Sequence, residues 1–298
     1  MGESLTEFAG AKVNLFLHVG APEADGFHPL ESLVAFATFG DQLILTPSDD
    51  LGFSVSGPFA AGLNGASDNL VTRARDAMLA LAGHEDAAFH LELLKDLPVA
   101  SGIGGGSADA AATMRLLKRV LRFPAHRQAD AARLSAIARE LGSDVPVCFA
   151  HEPAIMRGRG EQLFPPPVFP DLPCVLVNPG VPTPTGEVFR AYDRMGAGAL
   201  PPLPEFPDAF RPREAAAALA NFRNDLEAPA IGLCPSIGEV LDALRAQSMT
   251  LMARMSGSGA TCFALCVSDE DAEMLAYVIK RRHEAWWVQP CRLKGVAP

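Results

Sequence analysis

From residue 98 to residue 113 the chain reads PVASGIGGGSADAAAT, with glycine at 102, 104, 105 and 106 and an alanine-rich stretch directly behind it. Ala111, Leu116, Leu117 and Val120 then recur at helix spacing, and Ser107 is the residue type that caps a helix start. A glycine turn feeding a helix N-terminus has two readings. As a connector it needs one or two glycines. As a phosphate cradle it brings unpaired backbone N–H groups and the positive end of the helix dipole close to an anion, which requires several residues without side chains. Four glycines in five positions favour the cradle. Neither standard fingerprint fits: no Lys followed by Ser or Thr comes after the last glycine, as a P-loop demands, and Ser107 stands where a dinucleotide-binding turn has its third glycine.

The charge balance agrees with local phosphate binding and argues against a polyanionic partner. Twenty-five basic and 35 acidic side chains give a net charge of −10, with no run of Lys or Arg that could track a nucleic-acid backbone or an anionic membrane. No apolar run reaches the 18 or so residues of a membrane span. The six cysteines lack CxxC spacing and zinc-ligand pairing with histidine; they read as reduced, buried thiols of a cytoplasmic protein, Cys262 and Cys266 on one face of a strand. A length of 298 residues suggests two domains, and the proline-dense stretch 164–173 places their boundary, giving 1–165 and 166–298.

Along the chain, AKVNLFLHV (11–19) alternates as a strand, with Ala11, Val13, Leu15 and Leu17 on one face and Lys12 and Asn14 on the other. LVAFATF and DQLILTP predict two further strands, Asp68-Asn69 a helix start running through Leu81, and FHLELLK a strand ahead of Pro98. The helix after Ser107 stops at Phe123-Pro124, a second runs from about Ala129 to Leu141, and Ser143-Asp144-Val145-Pro146 caps a short third. CVLVNPG reads as a strand. A helix opens at Asn224-Asp225, another covers 237–246, LMARMSGSGATCFALCV is a hairpin, and a helix from Asp269 precedes a last strand near Trp287. Strands and helices interleave without a βαβ rhythm, which makes the class α+β.

Several polar residues stand out from this pattern. Lys12 and Asn14 project to one side and can address one site, although a strand lysine is ordinarily solvated. Asp144 reads as a helix cap. Asn69 is a helix-start residue, Lys95 a solvated lysine. Phe27 and His28 lie in a glycine-containing loop, where an aromatic either packs on its own domain or meets a ligand. Gly257, Ser258 and Gly259 make an ordinary hairpin turn.

Taken together these stretches resemble the GHMP kinases, small-molecule kinases whose central motif, Pro-x-x-x-Gly-Leu-Gly followed by small residues and Ser, is met here by residues 98–107 with Ile103 in place of Leu. AKVNLFLHV with DGFHPLES, ELGSDVPVCF and SGSGATCFAL follow the family's order over almost the whole chain. The resemblance implies a two-domain fold, with an N-terminal ATP-binding domain and a C-terminal ferredoxin-like substrate domain, using ATP and Mg²⁺. The motif residues Pro98, Val99, Ala100, Ser101, Gly102, Ile103, Gly104, Gly105, Gly106, Ser107 and Ala108 would hold the nucleotide, joined by Asn69 at the adenine and Lys95 nearby. Lys12 would stabilise charge and Asp144 act as base. Asn14, Phe27, His28, Gly257, Ser258 and Gly259 would meet the acceptor. The triple glycine running into Ser-x-Asp-Ala-Ala is similar to a narrower branch whose substrate is a cytidine diphosphate-linked methylerythritol. That branch usually carries Tyr where this chain has Phe27, so a stacking ring is kept and a hydroxyl lost. The resemblance leaves the metal ligand open and allows a monomer or a homodimer.

Overall fold

The computed structural model describes residues 4–63, 69–84, 86–123, 131–196, 198–200 and 206–297. The chain falls into two compact units, the first made of residues 1–11, 40–99 and 104–151, the second of residues 12–39, 100–103 and 152–298. This is not the single cut at 165/166 that the proline-dense stretch suggests. Two long strands, β1 (Leu5–Val19) and β2 (Leu30–Pro47), each contribute to both units, so the chain passes between them repeatedly. The pattern predicts two strands where β2 is one, because Gly40 interrupts the apolar run. A Cβ at Gly40 would lie 2.2 Å from the Ala9 carbonyl oxygen, so the glycine is a point of close strand approach and not a break.

In the first unit, the far half of β2 pairs antiparallel with β4 (Phe89–Leu94), and β4 pairs parallel with β3 (Gly52–Ser56). Four helices pack together beside them: α1 (Leu70–Ala82), α2 (Gly105–Val120), α3 (Ala131–Leu141) and α4 (Val145–Ala150). Residues 108–114 of α2 are buried without interruption, which makes it a core helix whose alanines let its neighbours approach. Residues Asp68, Pro124 and Ala129, which the sequence assigns to helix ends, lie outside the described residues.

In the second unit, β7 (Leu172–Asn178) lies between two antiparallel partners, β9 (Cys262–Leu265) and β10 (Trp287–Leu293). β8 (Met252–Met255) extends this sheet from β9, while β5 (Ala154–Gly158) and β6 (Gln162–Phe164) extend the near half of β2. Five helices follow: α5 (Thr185–Arg194), α6 (Pro212–Leu219), α7 (Glu227–Leu233), α8 (Ser236–Arg245) and α9 (Asp269–Arg282), of which α8 and α9 pack on the sheet. Leu17 and Val19 of β1 share one core with Val175, Val177, Leu226, Ile237, Leu241, Met255, Leu275 and Ile279. Cys262 and Cys266 belong to that core, as their spacing suggests, and all six cysteines are free thiols. Burial pushes the Cys262 thiol well up and that of Cys266 to about 12, which keeps both protonated. No helix among the described residues is long and apolar enough to cross a membrane.

Candidate active site

The first unit holds the helix entrance. Gly104, at φ +63°, is the N-cap of α2, and no side chain caps the helix. Ser107 is therefore the third residue of the helix and not its cap: the left-handed turn at Gly104 already starts the helix, and the Gly104 carbonyl accepts the Ala108 N–H at 2.8 Å. The N–H groups of Gly105, Gly106 and Ser107 have no intrahelical acceptor, the arrangement that binds anions. Asn69 caps α1, its Oδ1 accepting the Val71 N–H at 2.8 Å.

Lys95 is not the solvated lysine of the sequence reading. It is 2% exposed, and its Nζ donates to Asp41 Oδ2 at 2.5 Å and Asp109 Oδ2 at 2.7 Å. Asp41 Oδ1 in turn accepts the N–H groups of Asp96 and Leu97, which tethers the segment leading into Pro98. Burial alone would depress the Lys95 ammonium, but the Asp109 and Asp41 carboxylates outweigh it and hold it above its ordinary value. Burial, reinforced by the neighbouring Asp41 charge, pushes the Asp109 carboxyl up to about 8 against the pull of Lys95. A Cβ on Gly105 would sit 3.2 Å from Lys95 Nζ, so this cluster lies directly against the first residue of α2. Asp144 stands at the N-cap position of α4, where the sequence puts it, but its side chain makes no capping hydrogen bond to that helix.

The second unit brings together the first and last motifs. Lys12 is 4% exposed, in a strand stretch buried on both faces, where an edge lysine would be solvated. Its backbone N–H donates to the Ile103 carbonyl at 2.9 Å. Ser256 Oγ donates to the Gly102 carbonyl and accepts the Asn14 N–H, each at 3.1 Å, while Thr261 N–H donates to the Ser101 carbonyl. Gly102 is a glycine for this reason: at φ +75°, a Cβ there would lie 2.6 Å from backbone atoms of Ser256 and Gly259. Part of the glycine density is thus explained by packing against the 256–259 loop, and part by the helix entrance. Asn14 donates to Ser32 Oγ at 2.8 Å, and its buried Oδ1 has no hydrogen-bond partner among the described residues.

Phe27 and His28 lie elsewhere in this unit. The Phe27 ring is 55% exposed, with the Arg159 guanidinium 4.3 Å above its centroid; Arg159 is held by Asp25. The His28 ring is sheltered, hydrogen-bonded through Nε2 to Asp193 Oδ1 at 2.7 Å and 4.9 Å from the Phe189 ring. Helix α5 joins the two regions, since Thr185 at its start meets Ser258 Oγ at 2.9 Å while Phe189 and Asp193 flank His28.

Sequence reasoning missed Asp41, Asp109, Phe189, Asp193 and Thr185. Asp109 carried a signal, as an acidic residue in an otherwise apolar helical stretch, and so did Asp41 inside an apolar strand. The residues on α5 carried none, because the helix itself was not recognised between its flanking prolines and glycines.

The chain belongs to the GHMP kinase family: the model of the GHMP kinases N terminal domain matches residues 69–152, and that of the GHMP kinases C terminal matches residues 208–284. Its relatives within that family include proteins named 4-diphosphocytidyl-2-C-methyl-D-erythritol kinase. The one from Caulobacter vibrioides (strain NA1000 / CB15N) is 50% identical over 294 residues, covering 97% of this chain and 99% of its own. That of Hyphomonas neptunium is 50% identical over 306 residues, with 99% and 98% covered. A crystal structure of 4-(cytidine 5'-diphospho)-2C-methyl-D-erythritol kinase superposes with a TM-score of 0.77 at 32% identity, covering 98% of this chain and all of that one. Homoserine kinase from Cytophaga hutchinsonii, at 18% identity and a TM-score of 0.66 over 99% and 97% of the two chains, shares the fold.

Proposed function

We propose that this protein transfers the γ-phosphoryl group of ATP to the 2-hydroxyl of 4-diphosphocytidyl-2-C-methyl-D-erythritol. The observation that carries the phosphate half of this reading is the uncapped N-terminus of α2, where three consecutive backbone N–H groups can take an anion in a protein of net charge −10. The acceptor half is supported by near full-length relatives of that name.

In this mechanism the first turn of α2 holds the triphosphate, with the Lys95–Asp41 tether keeping the loop in place. Lys12 offsets charge on the transferring group, and Asp144 takes the proton of the attacking hydroxyl. The Phe27 ring stacks on the cytosine and His28 hydrogen-bonds to it, while the 256–259 loop contacts the acceptor. No group of three or more His, Cys, Asp or Glu side chains among the described residues could hold a metal ion. Mg²⁺ would bind through one or two protein oxygens and complete its shell with phosphates and water. Ser107 Oγ, in the first turn of α2, is the hydroxyl that would hold it, and the ion would neutralise charge on the phosphates.

The test is ADP release with the cytidylylated alcohol set beside homoserine, mevalonate and galactose. Turnover confined to the cytidylylated alcohol is expected, and its absence in the wild type would sink the assignment. Asp144→Ala should lower kcat by about 10²–10⁴; near-normal turnover would remove Asp144 as the base.

A further inference from the structure

Asn224-Asp225-Leu226-Glu227 looks in sequence like the start of a helix, and half of the Asn224 side chain does that work. Its Oδ1 accepts the Leu226 N–H at 2.9 Å, in the turn that enters α7. That turn needs only this oxygen, and the N-cap position of the helix is Leu226. Yet the side chain is buried, 6% exposed, and both N–H bonds of its amide are spent elsewhere: Nδ2 donates to the Met255 and Gly257 carbonyls, each at 2.8 Å. These two carbonyls bracket Ser256, the residue that binds the Asn14 N–H and the Gly102 carbonyl. Asn224 is itself fixed to β1, because Leu17 N–H donates to the Arg223 carbonyl, Asp225 N–H to the Leu17 carbonyl, and Val19 N–H to Asp225 Oδ2.

We propose that Asn224 is a positioning residue of the reaction: its amide sets the register of the Ser256–Gly259 loop against the strand that carries Lys12 and Asn14, so that Ser258 and the loop backbone meet the acceptor in one arrangement. The kinetic part rests on the reading that this loop contacts the acceptor. Asparagine suits the position because it alone among residues of this size offers one acceptor for the turn and two donors for neighbouring carbonyls.

Asn224→Asp separates the two halves of the side chain. The carboxylate keeps the turn's acceptor oxygen and points an acceptor at two carbonyls, losing both donations. It should lower kcat/KM for the cytidylylated alcohol about 10–100-fold, the expected scale for two buried hydrogen bonds, and leave KM for ATP within about twofold. In the ligand-free enzyme, the backbone amides of residues 256–261 should exchange with deuterium about tenfold faster or more than in the wild type. Asn224→Ser, which keeps an oxygen for the turn but cannot span both carbonyls, should behave alike and provides the reading should the charged variant fail to fold. Wild-type acceptor kinetics and wild-type loop exchange in whichever variant folds would overturn the proposal and leave Asn224 a turn residue ahead of α7. If the wild type does not turn over the cytidylylated alcohol, the functional reading fails, and loop exchange in the free enzyme still decides the positioning role.

Discussion

Asp109 is the residue at which burial and charge compete most sharply. Its carboxyl is held up to about 8 chiefly by burial, then by the Asp41 carboxylate, with Lys95 opposing both, and its Oδ1 has no hydrogen-bond partner among the described residues. A carboxyl whose folded pKa lies above its unfolded value of 3.8 favours the native state most where it is protonated in both states. That contribution is present below about pH 4 and is lost as pH rises toward about 8. At about 1.4 kcal/mol per pKa unit, the loss over those roughly four units is at most about 6 kcal/mol. Asp109→Asn, neutral throughout, should therefore gain on the wild type as pH rises. Thermal melts of both proteins at pH 5 and pH 9 check this: the difference in Tm, variant minus wild type, should move in the variant's favour at pH 9, and an unchanged difference would show that Asp109 is already ionised in the native state at pH 5. The same cluster marks where the sequence stops being legible. Lys95 could be numbered and suspected, but only tertiary packing supplies Asp41, 54 residues away, and Asp109, 14 residues on. A charged side chain with buried partners cannot be told from a solvated one by its neighbours in the chain.

Among the elements, those with strong local signals were readable: α1, α3, the β8–β9 hairpin and α9 all lie where periodicity and capping put them, and β1 contains the predicted 11–19 but begins six residues earlier, at Leu5. The failures share a cause. Ser107 looks like a cap because capping preference is local, whereas the α2 entrance was set by a left-handed Gly104 three residues earlier. Helices α5 and α6 were hidden behind prolines that sit at their starts, where proline is tolerated. Asn69 shows how an element cap and a ligand role can be separated. Asn69→Ala removes the acceptor for Val71 N–H and should cost about 1 kcal/mol in denaturant unfolding. Asn69→Asp keeps a capping oxygen and should unfold within about 0.5 kcal/mol of the wild type. If Asn69 also reads adenine, both variants lose the amide donor and both should raise KM for ATP. A raised KM in the alanine variant alone would trace the effect to helix fraying.

For the whole molecule, the division of the chain matters more than its length. The family models fall on either side of 165/166, but the second compact unit draws residues 12–39, 100–103 and 152–165 from before that point. Those segments are integral to it. Leu17 and Val19 fill its core, and Tyr192 OH donates to the Val19 carbonyl. Thr261 N–H donates to the Ser101 carbonyl, and the buried Arg254 guanidinium donates to the carbonyls of Leu15, Leu219 and Phe222. Burial already pulls the Arg254 pKa down to about 10, so loss of the Leu15 carbonyl would leave a poorly solvated charge with one partner fewer. A fragment of residues 166–298 would expose the apolar face that Leu17 and Val19 cover and strand several buried donors, each costing about 1–3 kcal/mol against a stability of only about 5–15 kcal/mol for a whole domain. It should therefore show no cooperative thermal transition by circular dichroism, although it contains an entire family-model match. Co-expression with residues 1–165 should restore the transition, because every missing partner lies in that piece. A cooperative melt of the lone fragment within about 5 °C of the full chain, a shift worth roughly 1 kcal/mol, would show that the second unit does not need its borrowed strands.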